Sequence, residues 1–107
     1  MSEFDDRGRA QERKFGLDQE LEFKAQARRA RLLGRWAAEL MGMSAEEIDA
    51  YSKGVVLADL EEAGVEDLFR KVRADLDART VAVSDHMIRA RMEELLLEAR
   101  AQVQAGI

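Results

Sequence analysis

Large apolar residues recur along most of the chain at intervals of three, four and seven positions, which is the repeat of an amphipathic α-helix. This repeat predicts the longest helix over residues 19–41, with a length of about 34 Å at 1.5 Å per residue. Gly42 follows, and glycine is preferred where a helix ends in the left-handed conformation. The apolar positions of this predicted helix are Leu21, Ala25, Leu32, Leu33, Trp36, Ala37, Leu40 and Met41.

Three shorter helices are predicted after it. Ser44 and Glu47 have the spacing of a capping box ahead of a helix over 45–63. A third helix is expected over 65–78, and Ser84 caps a fourth that ends at Gly106, with 80–83 as a β-leaning linker. Their apolar stripes are Ile48, Tyr51, Val55, Val56 and Leu60; Val65, Leu68, Phe69, Val72 and Leu76; and Ile88, Met92, Leu95, Leu96, Ala99 and Val103.

Residues 1–18 differ from the rest of the chain. Phe4, Phe15 and Leu17 are their only large hydrophobic residues, too few to anchor a packed helix, and Gly8 and Gly16 each weaken helix by about 1 kcal/mol relative to alanine. The sequence therefore predicts an all-α fold: a four-helix bundle over 19–107 that carries a disordered or partly helical N-terminal arm over 1–18.

Composition narrows the class of protein. The chain has 107 residues, no cysteine and no proline, and 17 Lys and Arg against 22 Asp and Glu give a net charge of -5. One domain without disulfides or thiolate metal sites is expected, and the negative charge argues against nucleic acid as a partner. The charged start and the lack of a long apolar run predict a soluble, cytoplasmic protein that does not insert into a membrane.

The search for catalytic chemistry returns mainly negatives. His86 is the only histidine and falls in the first turn of the last helix, where an exposed position is the simpler expectation. Trp36 lies on an apolar stripe and is expected to pack in the core. We predict no enzyme, no metal and no cofactor, and we interpret the acidic residues near the second turn as a solvated corner without a pocket: Asp59, Glu61, Glu62, Glu66 and Asp67.

Two features suggest a binding function. One face of the first helix carries a basic stripe of Lys24, Arg28, Arg31 and Arg35, with Arg29 beside it. This stripe is either a docking or anion-binding surface or an ordinary solvated face. Phe4 and Phe15 are three helical turns apart and would share a face in a helix. Aromatic residues in such an arm suit a segment that folds on a partner, and an idle tail is the alternative.

The same residues carry a resemblance to a known family. Two of the segments that carry it lie in the arm: Phe4-Asp5-Asp6-Arg7 and Lys14-Phe15. Three lie in the first predicted helix: Phe23-Lys24-Ala25, Leu32-Leu33-Gly34 and Trp36-Ala37-Ala38-Glu39. Two more follow later in the chain: Glu61-Glu62-Ala63-Gly64 and Phe69-Arg70-Lys71-Val72. Read together, these segments resemble the zeta subunit of alphaproteobacterial ATP synthases, and the resemblance covers nearly the whole chain.

This resemblance implies a function. In the family, a four-helix bundle carries a mobile arm that enters the catalytic head at an alpha/beta interface near the gamma shaft, becomes helical there and stalls ATP hydrolysis. The protein would then be peripheral to the inner membrane through the ATP synthase. The arm residues expected to contact the head are Phe4, Asp5, Asp6, Arg7, Arg13, Lys14, Phe15 and Leu17.

The arm departs from the family pattern at Gly8, Gln11 and Gly16, where better helix formers or an aromatic residue would be expected. The two glycines cost about 2 kcal/mol of helix formation. The alternative function is therefore a family member with weakened or lost inhibition, whose bundle binds another protein or, weakly, a nucleotide through the basic stripe. Ala30, at a position where we expect Asn, is predicted to lie on the outer face of the first helix.

Overall fold

A computed structural model describes the backbone of residues 2–107 and the side chains of residues 18–107. Four helices follow one another: α1 (Ser2–Leu40), α2 (Ala45–Glu61), α3 (Val65–Ala78) and α4 (Asp85–Gln104). No strand occurs in this part of the chain. The predicted all-α, four-helix fold is confirmed. The side chains predicted for the arm's contacts lie outside the described residues.

The helix ends agree closely with the capping signals of the sequence. The Ser44 hydroxyl accepts a hydrogen bond from the Glu47 amide at 3.2 Å, and the Glu47 carboxylate accepts one from the Ser44 amide at 3.0 Å. Gly42 has a φ of 73°, as the predicted left-handed stop requires. Several boundaries differ from the prediction. Helix α1 begins at Ser2 instead of residue 19 and ends at Leu40, one residue early, while α2 ends at Glu61 and α4 at Gln104, each about two residues early.

The long helix α1 is the centre of the bundle, because most of the contacts between helices join α1 to α2 or to α4. The α1–α2 contact is very close at Gly34, where an added Cβ would lie 2.9 Å from the Ser52 Cα. The alanines that face α1's neighbours are equally buried: Ala25, Ala30, Ala37 and Ala38 are at most 1% exposed. Small residues thus let α1 be covered on several sides.

This central position corrects part of the predicted core. Ala30 was expected on the outer face and is instead fully buried, because helices pack on more than one side of α1. Leu40, Leu60 and Val65 were assigned to apolar stripes and are at least 42% exposed, since each lies close to a helix end where its neighbours no longer cover it. The remaining core members agree well with the stripes, above all in α3 and α4.

Polar contacts fix α3 against its neighbours. The linker after α3 begins with a turn at Thr80, whose φ is 60°, and residues 81–84 form no regular secondary structure. Arg73 donates to the Val83 carbonyl at 2.6 Å and pairs with Asp85, which ties this loop to α3. On the other side, the Tyr51 hydroxyl donates to an Asp75 carboxylate oxygen at 2.6 Å, and burial together with this bond raises the pKa of Tyr51.

Candidate partner-binding surface

The predicted basic stripe lies on α1 beside two separate depressions, each lined by residues of α1, α2 and α4. Near one end, Lys24, Arg28 and Arg31 line a depression of about 510 Å³ together with Val56 of α2 and Val103 of α4. Near the other end, Arg35 lines a second depression of about 350 Å³, again between residues of α2 and α4. The charged residues that line it are of both signs: Arg35, Arg91, Glu39 and Glu98. Because the four basic residues share one face of α1, we treat both depressions as one surface and call it the basic furrow.

The four cations of the basic stripe are poorly neutralised. Lys24 pairs only loosely with Glu20, at 3.5 Å and with both side chains largely exposed. Arg28 donates to the Gln102 side-chain amide oxygen at 3.5 Å. Across the furrow the pKa of Asp49 is lowered, mainly by its ion pair with Lys53 and to a smaller extent by the charges of Arg31 and Arg35.

The arginines of α3 and α4 behave differently. Within the described residues, ion pairs are formed by Arg70, Arg73, Arg89, Arg91 and Arg100. The Arg100–Glu22 pair is bidentate, with distances of 2.9 and 2.6 Å, and it joins α4 to α1. Over the same residues Arg28, Arg31 and Arg35 form no ion pair, and Arg31 and Arg35 are exposed to solvent.

Apolar side chains stand beside these cations. Phe23 is 63% exposed and Ile107 is 78% exposed, and both line the larger depression with Val56 and Val103. The basic stripe was predictable from spacing within α1. The apolar walls were not, because Val56 and Val103 come from other helices and had been assigned only to core stripes. Phe23 was visible only as part of the family-like sequence.

Arg29 is adjacent to the stripe in sequence and is not part of the furrow. It is only 6% exposed, and its Nε has no hydrogen-bond partner within the described part of the chain. Burial lowers the pKa of the Arg29 guanidinium, while the nearby carboxylates of Asp59 and Glu22 act in the opposite direction. Burial likewise raises the pKa of Asp59, and the Arg29 charge offsets this only in part. The two side chains, one on α1 and one on α2, are close enough for their charges to act on each other, but no ion pair joins them among the described residues.

The acidic corner contains a depression, whereas we predicted none. It has a volume of about 400 Å³ and is lined by Asp59, Glu61, Glu62 and Asp67. Arg70 and Lys71 line it too, so the carboxylates are partly neutralised. Glu61, Glu62 and Glu66 are exposed as expected.

Other predicted positions agree with the simpler interpretations. His86 is exposed in the first turn of α4. Trp36 is half-buried and packs against the core while it also lines the smaller depression of the furrow. Among the described residues there is no cluster of three or more side chains suited to hold a metal ion. Over the same residues, no helix is both long enough and apolar enough to cross a membrane.

Comparison with known proteins identifies the family. The family model of the ATPase inhibitor subunit zeta matches residues 1–102. The chain therefore belongs to the ATPase inhibitor subunit zeta family, which confirms the resemblance seen in the sequence and implies a regulatory protein. The chain is also similar to a protein of known solution NMR structure, with 45% sequence identity and a TM-score of 0.70. The matched region covers 81% of this chain and 99% of the other protein's chain. No curated protein matches.

Proposed function

We propose that this protein inhibits ATP hydrolysis by the catalytic head of an F-type ATP synthase. The observation that carries the proposal is the family match, which extends through the arm as well as the bundle. The proposed partners are the alpha, beta and gamma subunits of the head. The protein would accordingly be cytoplasmic and held at the inner membrane through the ATP synthase.

In the proposed mechanism the arm is the inhibitory element. It enters a catalytic alpha/beta interface near gamma as a helix, with Phe4 and Phe15 as apolar anchors. Ordering 18 residues costs roughly 1 to 2 kcal/mol each, so only a closing interface with a large complementary surface can offset the loss of entropy. Charged arm residues set the register of the inserted helix: Asp5, Asp6, Arg7, Arg13 and Lys14. Leu17 adds an apolar contact at the base of the arm.

The bundle is proposed to remain outside the head as a rigid handle that blocks rotation. Among the side chains that the structure describes, residues 18–107, the apolar core residues lie between Ala25 and Ala99. Rotation in the direction of hydrolysis draws the arm inward and rotation in the direction of synthesis expels it. Inhibition is therefore expected to act on hydrolysis alone.

The test is steady-state ATP hydrolysis by a purified catalytic head from a related bacterium, titrated with three proteins. These are the full chain, a chain without residues 1–18, and the full-length double variant Phe4→Ala/Phe15→Ala. The double variant Leu57→Ala/Leu97→Ala is the matched control, because both leucines are exposed on the bundle. We expect the full chain and the control to inhibit, and the two arm variants to lose inhibition. Equal inhibition by all four would refute an arm-based mechanism.

A second candidate function is binding by the bundle with weak or no inhibition. It is favoured by the arm's Gly8, Gln11 and Gly16 and by Arg28 and Arg31, which form no ion pair within the described side chains of residues 18–107. It predicts that a protein or nucleotide ligand still binds after the arm is removed. The same ligand should no longer bind to the double variant Arg28→Glu/Arg31→Glu. Nucleic acid is not an expected partner at a net charge of -5, and binding that collapses with salt would be its signature.

A further inference from the structure

The basic furrow is long enough to bind one more helix. From Phe23 to Glu39 it follows α1 for about 24 Å, which is the length of a helix of roughly 16 residues. α2 and α4 form its two sides and α1 forms its floor. A helix laid on this floor would contact three helices at once, as the members of a bundle do.

The chemistry of the furrow defines the complementary surface of such a helix. Phe23, Val56 and Val103 supply apolar contacts, and the exposed fraction of Phe23, 63%, leaves most of its ring open to a partner. Lys24, Arg28 and Arg31 stand beside these residues, and the two arginines have no carboxylate partner among the described residues. A complementary helix therefore has an apolar stripe flanked by Asp and Glu.

Other modes of recognition fit this surface less well. An extended peptide that adds a strand needs a free sheet edge, and the described residues contain no strand. A small anion would use the cations and leave Phe23 and Val103 without a contact. The acidic amphipathic helix is the occupant that uses both the apolar and the cationic side chains.

We propose that the basic furrow binds an acidic amphipathic helix on the outer surface of the catalytic head, and so docks the bundle while the arm inhibits. This inference rests on the proposed function, because it takes the head as the partner. It adds a second contact, separate from the arm, that supplies affinity to the complex.

The first test measures the affinity of full-length variants for the purified catalytic head. The double variant Arg28→Glu/Arg31→Glu is compared with Arg70→Glu/Arg79→Glu, which changes the net charge equally at exposed sites outside the furrow. Phe23→Ser is compared with Leu97→Ser, because Leu97 is 66% exposed on α4. We expect each furrow variant to raise Kd at least about tenfold and each control to change it less than about twofold. Maximal inhibition at saturation should be retained, since the arm is unchanged.

A second test does not depend on the head. The ¹⁵N-labelled full chain is titrated with a helical peptide of about 16 residues that carries leucines at helical spacing flanked by glutamates, and with a scrambled peptide of the same composition. Shifts should be confined to the amides near Phe23–Glu39 and near the furrow residues of α2 and α4, and Arg28→Glu/Arg31→Glu should abolish them.

The two tests separate the two proposals. If the full chain neither binds nor inhibits the head while the peptide binds in the furrow, the proposed function is refuted, and the furrow is still a binding site for an acidic amphipathic helix. If the head binds equally to furrow and control variants, or if the scrambled peptide binds as well as the designed one, the proposal that the furrow binds a helix is refuted. The arm mechanism is not affected by either result. Self-association of the chain that Phe23→Ser abolishes would make a second copy the occupant and would also refute the proposal for the furrow.

Discussion

The contact between α1 and α2 at Gly34 gives the sharpest test of the packing. A Cβ at this position would lie 2.9 Å from the Ser52 Cα, 3.2 Å from a Val55 methyl group and 3.3 Å from the Ser52 Cβ. The nearest of these atoms belongs to the backbone of α2, so it cannot move aside by a change of rotamer. Gly34→Ala must therefore displace one helix relative to the other.

Two effects of opposite sign set the magnitude. Alanine in a helix interior is about 1 kcal/mol more favourable than glycine. Overpacking a close contact costs about 1 to 3 kcal/mol, and a clash with backbone belongs in the upper part of this range. We expect Gly34→Ala to lower the free energy of unfolding by about 1 to 2 kcal/mol, the difference between these two terms.

Gly54→Ala is the matched control. Gly54 lies in the interior of α2, is exposed, and has no atom within 4 Å of an added Cβ. Only the helix preference applies there, so this variant should gain about 1 kcal/mol. Urea unfolding followed by circular dichroism at 222 nm measures both. A Gly34→Ala variant as stable as Gly54→Ala would show that α1 and α2 are not packed as closely as described.

Three further predictions concern charge and capping. Glu22→Gln should lower the free energy of unfolding at pH 7 by about 0.2 to 1 kcal/mol, because the pair with Arg100 is partly exposed. The hydrogen bond from Arg100 lowers the pKa of Glu22 in the folded state. The stability that Glu22 contributes is therefore fully present above its unfolded pKa of about 4.3 and is lost as the pH falls through the lower folded pKa. A stability difference between Glu22→Gln and the original protein that stays unchanged down to about pH 2 would contradict this. Asp59→Asn should instead stabilise the fold at pH 7, because burial raises the pKa of Asp59, and the gain should vanish below the unfolded pKa of about 3.9. A loss of stability would mean that the Arg29 charge outweighs the cost of burial. Ser44→Ala should cost about 1 kcal/mol in urea unfolding while Ser44→Asp retains the cap, and equal losses in both would argue against the capping box.

The candidate surface was only half predictable. The spacing of Lys24, Arg28, Arg31 and Arg35 gave one face of α1, since helical periodicity alone decides which side chains share a face. Whether that face was ordinary solvated surface or the floor of a furrow depended on where α2 and α4 pack. Arg29 illustrates the limit, because it differs from Arg28 by one position and is buried by its neighbours.

What the sequence determined by itself was local. Periodic apolar residues, capping residues such as Ser44 and Ser84, and the glycine at position 42 defined the helices, because these signals act within a few residues of chain. The tertiary structure decided which helix is central. Ala30 and Gly34 carry no large apolar side chain and were not recognised as core, yet their small size lets neighbouring helices pack closely against α1, and this packing leaves its basic face open between α2 and α4.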